Sequence, residues 1–239
     1  MLAKRIIGRT KREPSTWRIA LFEILIIIVG ILLSVLITDW FSNRKDGKRE
    51  HAYLEAIAQD LTADLEFLES DLQQREGQLE ACVTLGRLGQ QGSTMEVAPE
   101  LAKSLTTLGK TVRFNPNMAT FRALESTGRI ELIENDAIVR NLIMLYSRYY
   151  DLVEQNNSDV SLYRNNFFLP FMLESFDFAA GSSRPPDTNP LPLRTEDFYR
   201  QMSNHVIYNQ LSLSSTVVAY YTAIAYVRET LALVKTELE

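Results

Sequence analysis

Between Ile24 and Ile37 the chain carries twelve aliphatic side chains and no charged residue. No other stretch constrains the fold as tightly. A helix crosses about 30 Å of hydrocarbon with roughly 20 apolar residues at ~1.5 Å each. Trp17 and Trp40 bracket the run, about 35 Å apart along a helix, and amphipathic indole rings favour the two interfaces. Residues 17–40 are therefore expected to form a transmembrane helix with Trp17 and Trp40 as interface anchors. Glu23 lies one turn inside this span, where it reaches water by snorkelling or packs against another helix. Gly30 and Ser34 form a small-xxx-small pair that lets helix backbones approach closely. Glu23, Ile27, Gly30 and Ser34 share one face, the candidate helix-packing face.

The flanks bear on orientation. Residues 1–49 have a net charge of +6 and residues 50–239 one of −11. Lys4, Arg5, Arg9, Lys11, Arg12 and Arg18 precede the span, and Arg44, Lys45, Lys48 and Arg49 follow it. The bias puts a basic tail, residues 1–16, in the cytoplasm and residues 41–239 outside the cytoplasmic membrane. A charged start followed by an apolar run also fits a cleaved signal peptide, but no small-x-small site follows, so an uncleaved signal anchor is expected. An acidic domain argues against nucleic-acid binding, which wants a basic face.

Downstream, helical periodicity dominates. Leu54, Ala58, Leu61, Leu65, Leu68, Leu72, Arg75, Leu79 and Cys82 follow each other at three- and four-residue steps, a heptad seam of the coiled-coil kind interrupted by Arg75. Gly47 permits a hinge ahead of it. Turn signals from Gly86 to Gly92 end that helix, and short helices are expected over 99–108 and 118–126, the second stopped by Gly128. Asn135 or Asp136 caps a second long helix, expected to end near Leu169 because Pro170 follows. A Pro-rich loop occupies 174–195. Thr195 to Phe198 read as a helix start, and a final long helix, expected from about Val206 to Leu238, carries Leu213, Val217, Tyr220, Ile224, Val227, Leu231, Val234 and Leu238. Only 111–114 reads as extended. Three long helices with apolar stripes bury them on one another. The expected fold is all-α: one N-terminal transmembrane helix continuing into an elongated antiparallel bundle of three long helices plus short capping helices. If the first helix leaves the membrane, the second returns and the third leaves again, the Pro-rich loop and Phe167, Phe168, Phe171, Met172, Phe176 and Phe178 lie on the membrane side.

Catalytic chemistry finds no support. His51 and His205 are the only histidines, and no metal-ligand spacing, nucleophile elbow or phosphate-cradling loop occurs. No cofactor or metal is implied, and an enzyme is not expected. Asp60, Asp64 and Asp71 share a helix face that reads as solvated. Tyr146, Tyr149, Tyr150, Tyr220, Tyr221 and Tyr226 read as core packing, or as the lining of a ligand cleft between helices. Cys82 is the only cysteine. On the seam it is buried, or it forms an intermolecular bridge if two chains share that seam.

The segment from Phe22-Glu23-Ile24 through Gly30-Ile31-Leu32 to Asp39-Trp40 resembles the opening of an uncharacterised bacterial family of small single-span membrane proteins. That opening reads Gly-Glu-Ile, an aliphatic run, Gly-Ile-Leu, then Asn-Asn-Trp. Tyr53-Leu54, Asp60-Leu61-Thr62-Ala63-Asp64, Phe121 to Gly128 and Tyr149-Tyr150 also resemble family positions. Phe22 and Thr38-Asp39 depart from the pattern. The resemblance implies architecture and no activity. The leading expectation is a membrane-anchored helical envelope protein acting through protein–protein contacts, as scaffold, oligomer or accessory subunit. Its partners would be the lipid bilayer and either its own copies or another membrane protein. The alternative is a sensory, ligand-binding helical ectodomain that signals through a partner; its small-molecule ligand is unknown.

Overall fold

A computed structural model describes residues 16–91, 98–175 and 196–239. The chain divides into two units, residues 1–50 and 51–239. The described residues are helical, with no strand among them; 111–114, the one stretch expected to be extended, is irregular loop. Helix α1 spans Thr16–Gln91 and contributes to both units. Gly47 lies within it and does not break it.

In the first unit α1 exposes its whole apolar run, Leu21 to Phe41. In the second unit α1 meets two short helices, α2 (Ala98–Leu108) and α3 (Ala119–Ser126), a 3-10 turn (Arg129–Leu132) and two more long helical segments. Gly128 at φ 68° stops α3 in the left-handed region that favours glycine. Asn135 then starts the next helix: its side chain accepts the backbone N–H of Ala137 at 3.0 Å.

That helix runs unbroken over 136–175. It comprises α4 (Asp136–Met144), a π-turn (Leu145–Tyr149), α5 (Tyr150–Tyr163), a second π-turn (Arg164–Phe168) and α6 (Leu169–Ser175). The expected stop before Pro170 does not occur. The N–H of Leu169 reaches back five residues to Arg164 instead of four. The wider turn accommodates a proline that has no N–H to give and whose ring would crowd the preceding turn. Glu174 and Ser175, expected in the Pro-rich loop, close α6; residues 176–195 lie outside the described residues. The last helix, α7, is one piece, Glu196–Leu238.

Long-range hydrogen bonds give the direction of each leg. Asp64 pairs with Tyr150 and Arg75 with Asn157, so the 136–175 helix runs parallel to α1. Tyr220 meets Asp71 and Arg228 meets Glu69, while a Cβ on Gly86 would touch Val206, so α7 runs antiparallel to α1. This corrects the expected order of directions. The return leg is the segment 98–133: Glu100 meets Arg87, Lys110 meets Gln78, Asn117 meets Asp64, and Arg129 meets Tyr53. The segment expected to cap or flank the bundle travels its full length. The Phe168, Phe171 and Met172 cluster therefore packs on Leu85 and Leu88, at the end of the second unit opposite Leu54, not at the end expected to face the membrane.

Two hydrophobic clusters result. One gathers Leu54, Ile57, Leu61, Leu68 and Leu72 with Ile138, Leu142, Val153, Ile224, Val227 and Val234. The other gathers Cys82, Leu85, Leu88, Leu101 and Leu105 with Phe168, Phe171, Met202 and Leu213. Each wholly buried aliphatic side chain contributes about 1.5–3 kcal/mol before entropy is set against it. Tyr146, Tyr150 and Tyr220 are buried as expected of core residues, Tyr149 and Tyr226 are half-buried and Tyr221 is exposed; Phe121 stacks on Tyr146 at 4.4 Å, and Phe114 meets Tyr150 edge-on at 5.0 Å.

Candidate functional site

The first candidate is the α1 run in the first unit. Glu23, Ile27, Gly30 and Ser34 fall on one helix face and are all exposed. A Cβ built on Gly30 meets nothing within 4 Å. Ser34 accepts the Thr38 hydroxyl through its carbonyl at 2.8 Å, which seats that hydroxyl within the helix. Trp17 and Trp40 are exposed at the two ends. Trp40 meets Phe41 edge-on at 5.0 Å, and the Arg44 guanidinium lies 5.5 Å from the Trp40 ring centroid, a cation–π contact. Among the described residues two helices are long and apolar enough to cross a membrane, α1 and α7. The most apolar window of α1 is not buried at all, whereas 44 % of that of α7 is buried within the bundle. A soluble domain rarely leaves an apolar surface of this extent uncovered.

The second candidate lies between the hydrophobic clusters. Arg75, which breaks the heptad seam, is 1 % exposed. It donates through Nε and Nη2 to Asn157 Oδ1 at 3.1 and 2.6 Å, through Nη1 to Gln78 Oε1 at 2.9 Å, and through Nη2 to the Val112 carbonyl at 3.3 Å. Asn157 donates to the Tyr220 hydroxyl at 2.7 Å, and Tyr220 donates to Asp71 at 3.3 Å. Gln78 donates to the carbonyls of Thr107 and Lys110. Burial pulls the Arg75 guanidinium below its ordinary value and pushes the Asp71 carboxyl above its own; the opposite charge of each offsets part of the other's shift. The layer thus ties both long partner helices and the return leg to one α1 side chain.

Two turns beyond Asp71 toward Leu54, Asp64 is wholly buried, not solvated as its helix face implied. Its Oδ1 accepts the backbone N–H and side-chain amide of Asn117 at 2.8 and 3.0 Å, and its Oδ2 accepts the Tyr150 hydroxyl at 2.9 Å. Tyr146 donates to the Asn117 carbonyl at 3.2 Å. Burial raises the Asp64 carboxyl above the ordinary range; the hydrogen bonds from Asn117 and Tyr150 oppose this, and the charge on Asp60 adds to it. Asp60 Oδ2 is buried with no hydrogen-bond partner among the described residues. The expected carboxylate stripe is in part the polar interior of the bundle, and its partners come from 53 to 86 residues away.

Cys82 lies in the second cluster at 0 % exposure, and burial pushes its thiol up to about 12. A bridge to another chain through this sulfur would require that cluster to open. Among the described residues no group of three or more His, Cys, Asp or Glu side chains is arranged to hold a metal ion. A groove does lie between α5 and α7, but none of Tyr146, Tyr149, Tyr150, Tyr220, Tyr221 and Tyr226 lines it. It is about 390 Å³ in volume, with Tyr163, Phe167 and Tyr208 beside Asn156, Asp159 and Asn166. Tyr163 stacks on Tyr208 at 3.8 Å and shares a 2.7 Å hydrogen bond with His205 Nδ1.

A family model described as a family of unknown function (DUF6090) matches residues 23–168, which include the α1 face, the Asp64 set and, apart from Tyr220, the Arg75 layer. No curated protein and no solved structure matches the chain.

Proposed function

Because the chain belongs to DUF6090, a family of unknown function, we propose a role from its physical chemistry alone: it is a membrane-anchored helical protein that acts through protein–protein contacts, as a scaffold, an oligomer or an accessory subunit. The observation that carries this reading is the first unit, an apolar helix surface from Leu21 to Phe41 that stands exposed among the described residues. On this reading α1 crosses the cytoplasmic membrane as an uncleaved anchor. The basic tail stays in the cytoplasm and residues 51–239 are periplasmic. Glu23, Ile27, Gly30 and Ser34 pack on a partner helix, which shields a carboxyl that lipid would penalise. No catalytic role is proposed: Asp64 and Asp71 accept hydrogen bonds from Tyr150 and Tyr220 of the bundle itself.

The test is Gly30→Leu with co-purification from membranes. A Cβ at this position meets nothing in the chain, so the variant leaves the fold intact and any loss of co-purifying protein reports a partner helix. Unchanged recovery of every neighbour counts against the face. A C-terminal reporter active only in the cytoplasm counts against the orientation.

A second reading, a bundle that binds a small molecule and signals through a partner, draws support from the groove at Tyr163 and Tyr208. Its volume falls within the ~300–1,000 Å³ of ligand sites. A thermal-stability gain with a compound, abolished by Tyr208→Ala, would favour it.

A further inference from the structure

The sequence of α7 contains no Asp, Glu, Lys or Arg between Arg200 and Arg228. Half of that silence is explained by the core. Val206, Leu213, Tyr220, Ile224 and Val227 are buried against α1 and α5. The other half is not, because the outward face of α7 is equally free of charge. Ile207, Leu211, Val218 and Tyr221 are 57, 69, 63 and 53 % exposed. With Ser214 and Ala225, both exposed, they stand at successive steps of four, three, four, three and four residues. That spacing places all six on one seam of the helix, the pattern of a helix that packs lengthwise on another. A solvated face of an amphipathic helix ordinarily carries charges, and the centre of a protein interface is where charges are depleted.

We propose that this outward seam of α7 is a self-association surface whose occupant is the same seam of a second copy of the chain. Three features single out a second copy. The seam's own residues bear no charge, and the carboxylate bonded to it, Glu76 of α1, accepts the Tyr221 hydroxyl toward one end, so an antiparallel two-fold pairing centred on Ser214 keeps the two Glu76 side chains at opposite ends. Its centre, Ser214, is small, and its hydroxyl is already turned to the Gln210 carbonyl at 2.7 Å, so two helices can approach there without stranding a donor. Each large side chain offers roughly 100 Å² of free surface. Together with the small residues between them, two copies bury on the order of 1,000 Å², the lower limit of a specific interface. Anchoring in a membrane confines both copies to one surface and raises their effective concentration.

This inference deepens the proposed function, since it names the partner and a second contact surface, and it rests on that reading for the premises that the chain assembles and is held in a membrane. The test is disulfide crosslinking of the full chain in native membranes, with Ser214→Cys as the probe. Cys82 is retained, being buried. Asp151→Cys, exposed on α5, is the off-seam control. The expected result is a band at twice the chain mass for Ser214→Cys, absent for Asp151→Cys, and lost when Leu211→Lys is added. Leu211 is 69 % exposed, so the added charge leaves the fold of the monomer undisturbed. Equal crosslinking at both positions, no dimer at Ser214, or a conjugate with a different protein overturns the inference. Protein adducts captured at Ile27 in the span, together with no dimer at Ser214, would overturn this seam alone and leave the proposed function standing.

Discussion

Arg75→Met keeps most of the apolar stem of a buried arginine and removes its guanidinium. The structure sets the size of the effect. Asn157 Oδ1, Gln78 Oε1 and the Val112 carbonyl lose their donor. A buried group left unsatisfied costs about 1–3 kcal/mol. Asn157 keeps Tyr220, and Gln78 keeps two carbonyls through its amide nitrogen, so neither residue is wholly stranded. The expected loss is about 3–5 kcal/mol, the range seen when one member of a buried polar set is removed. Asp71 also loses the nearby charge that restrains its raised carboxyl, so the variant's stability should fall more steeply than wild type as pH rises from the acid range. Chemical unfolding of the full chain in detergent, followed by circular dichroism, measures both. A second variant separates the layer from mere packing. Adding Asn157→Leu to Arg75→Met should cost less than the sum of the single changes by about 1–3 kcal/mol, because the two share one hydrogen-bonded set. A loss below about 1 kcal/mol for Arg75→Met, or strict additivity of the pair, would refute the reasoning.

Asp64 gives a pH prediction with the opposite sign to a salt-bridged carboxylate. Its folded carboxyl lies above the ordinary value of 3.8, so the folded state holds its proton more tightly than the unfolded chain. The stability this provides is present below the ordinary value and is lost as pH rises through the raised one. Asp64→Asn should flatten that part of the stability–pH curve, and an unchanged slope would contradict the assignment. Cys82 should resist thiol reagents in the native protein at mildly alkaline pH and label readily after unfolding. Native labelling as fast as that of an exposed control cysteine would show the second cluster to be open.

Much of the architecture is legible in the residue spacing. The helix cap at Asn135 and the stop at Gly128 follow from local chemistry, and the α7 positions from Leu213 to Val234 bury as their period implies. The directions of the legs are not legible in that way. The segment 98–133 reads as two short helices and turns, and only its contacts with Arg87, Gln78, Asp64 and Tyr53 reveal it as a full-length return leg. Arg75 and Asp64 illustrate the same limit. A charged residue on a helix is solvated by default, and what reverses this here are partners 82 and 86 residues away. An arginine at a heptad position is a signal in itself, since a seam rarely tolerates a charge that nothing receives. The outward seam of α7 is equally present in the sequence, but the stronger buried period masks it until exposure separates the two faces. Glu23, Ile27, Gly30 and Ser34 share a face by spacing alone, and a lone helix holds no trace of what lies against it.

The central claim is that this face of α1 meets protein within the membrane. A photo-reactive residue at Ile27 of the full chain, irradiated in native membranes, tests it directly, with Leu32 on the opposite face as reference. Both side chains are exposed on α1, so both probes can react with whatever surrounds the helix. The account predicts protein adducts at Ile27 and lipid adducts at Leu32. Lipid adducts alone at both positions would contradict it.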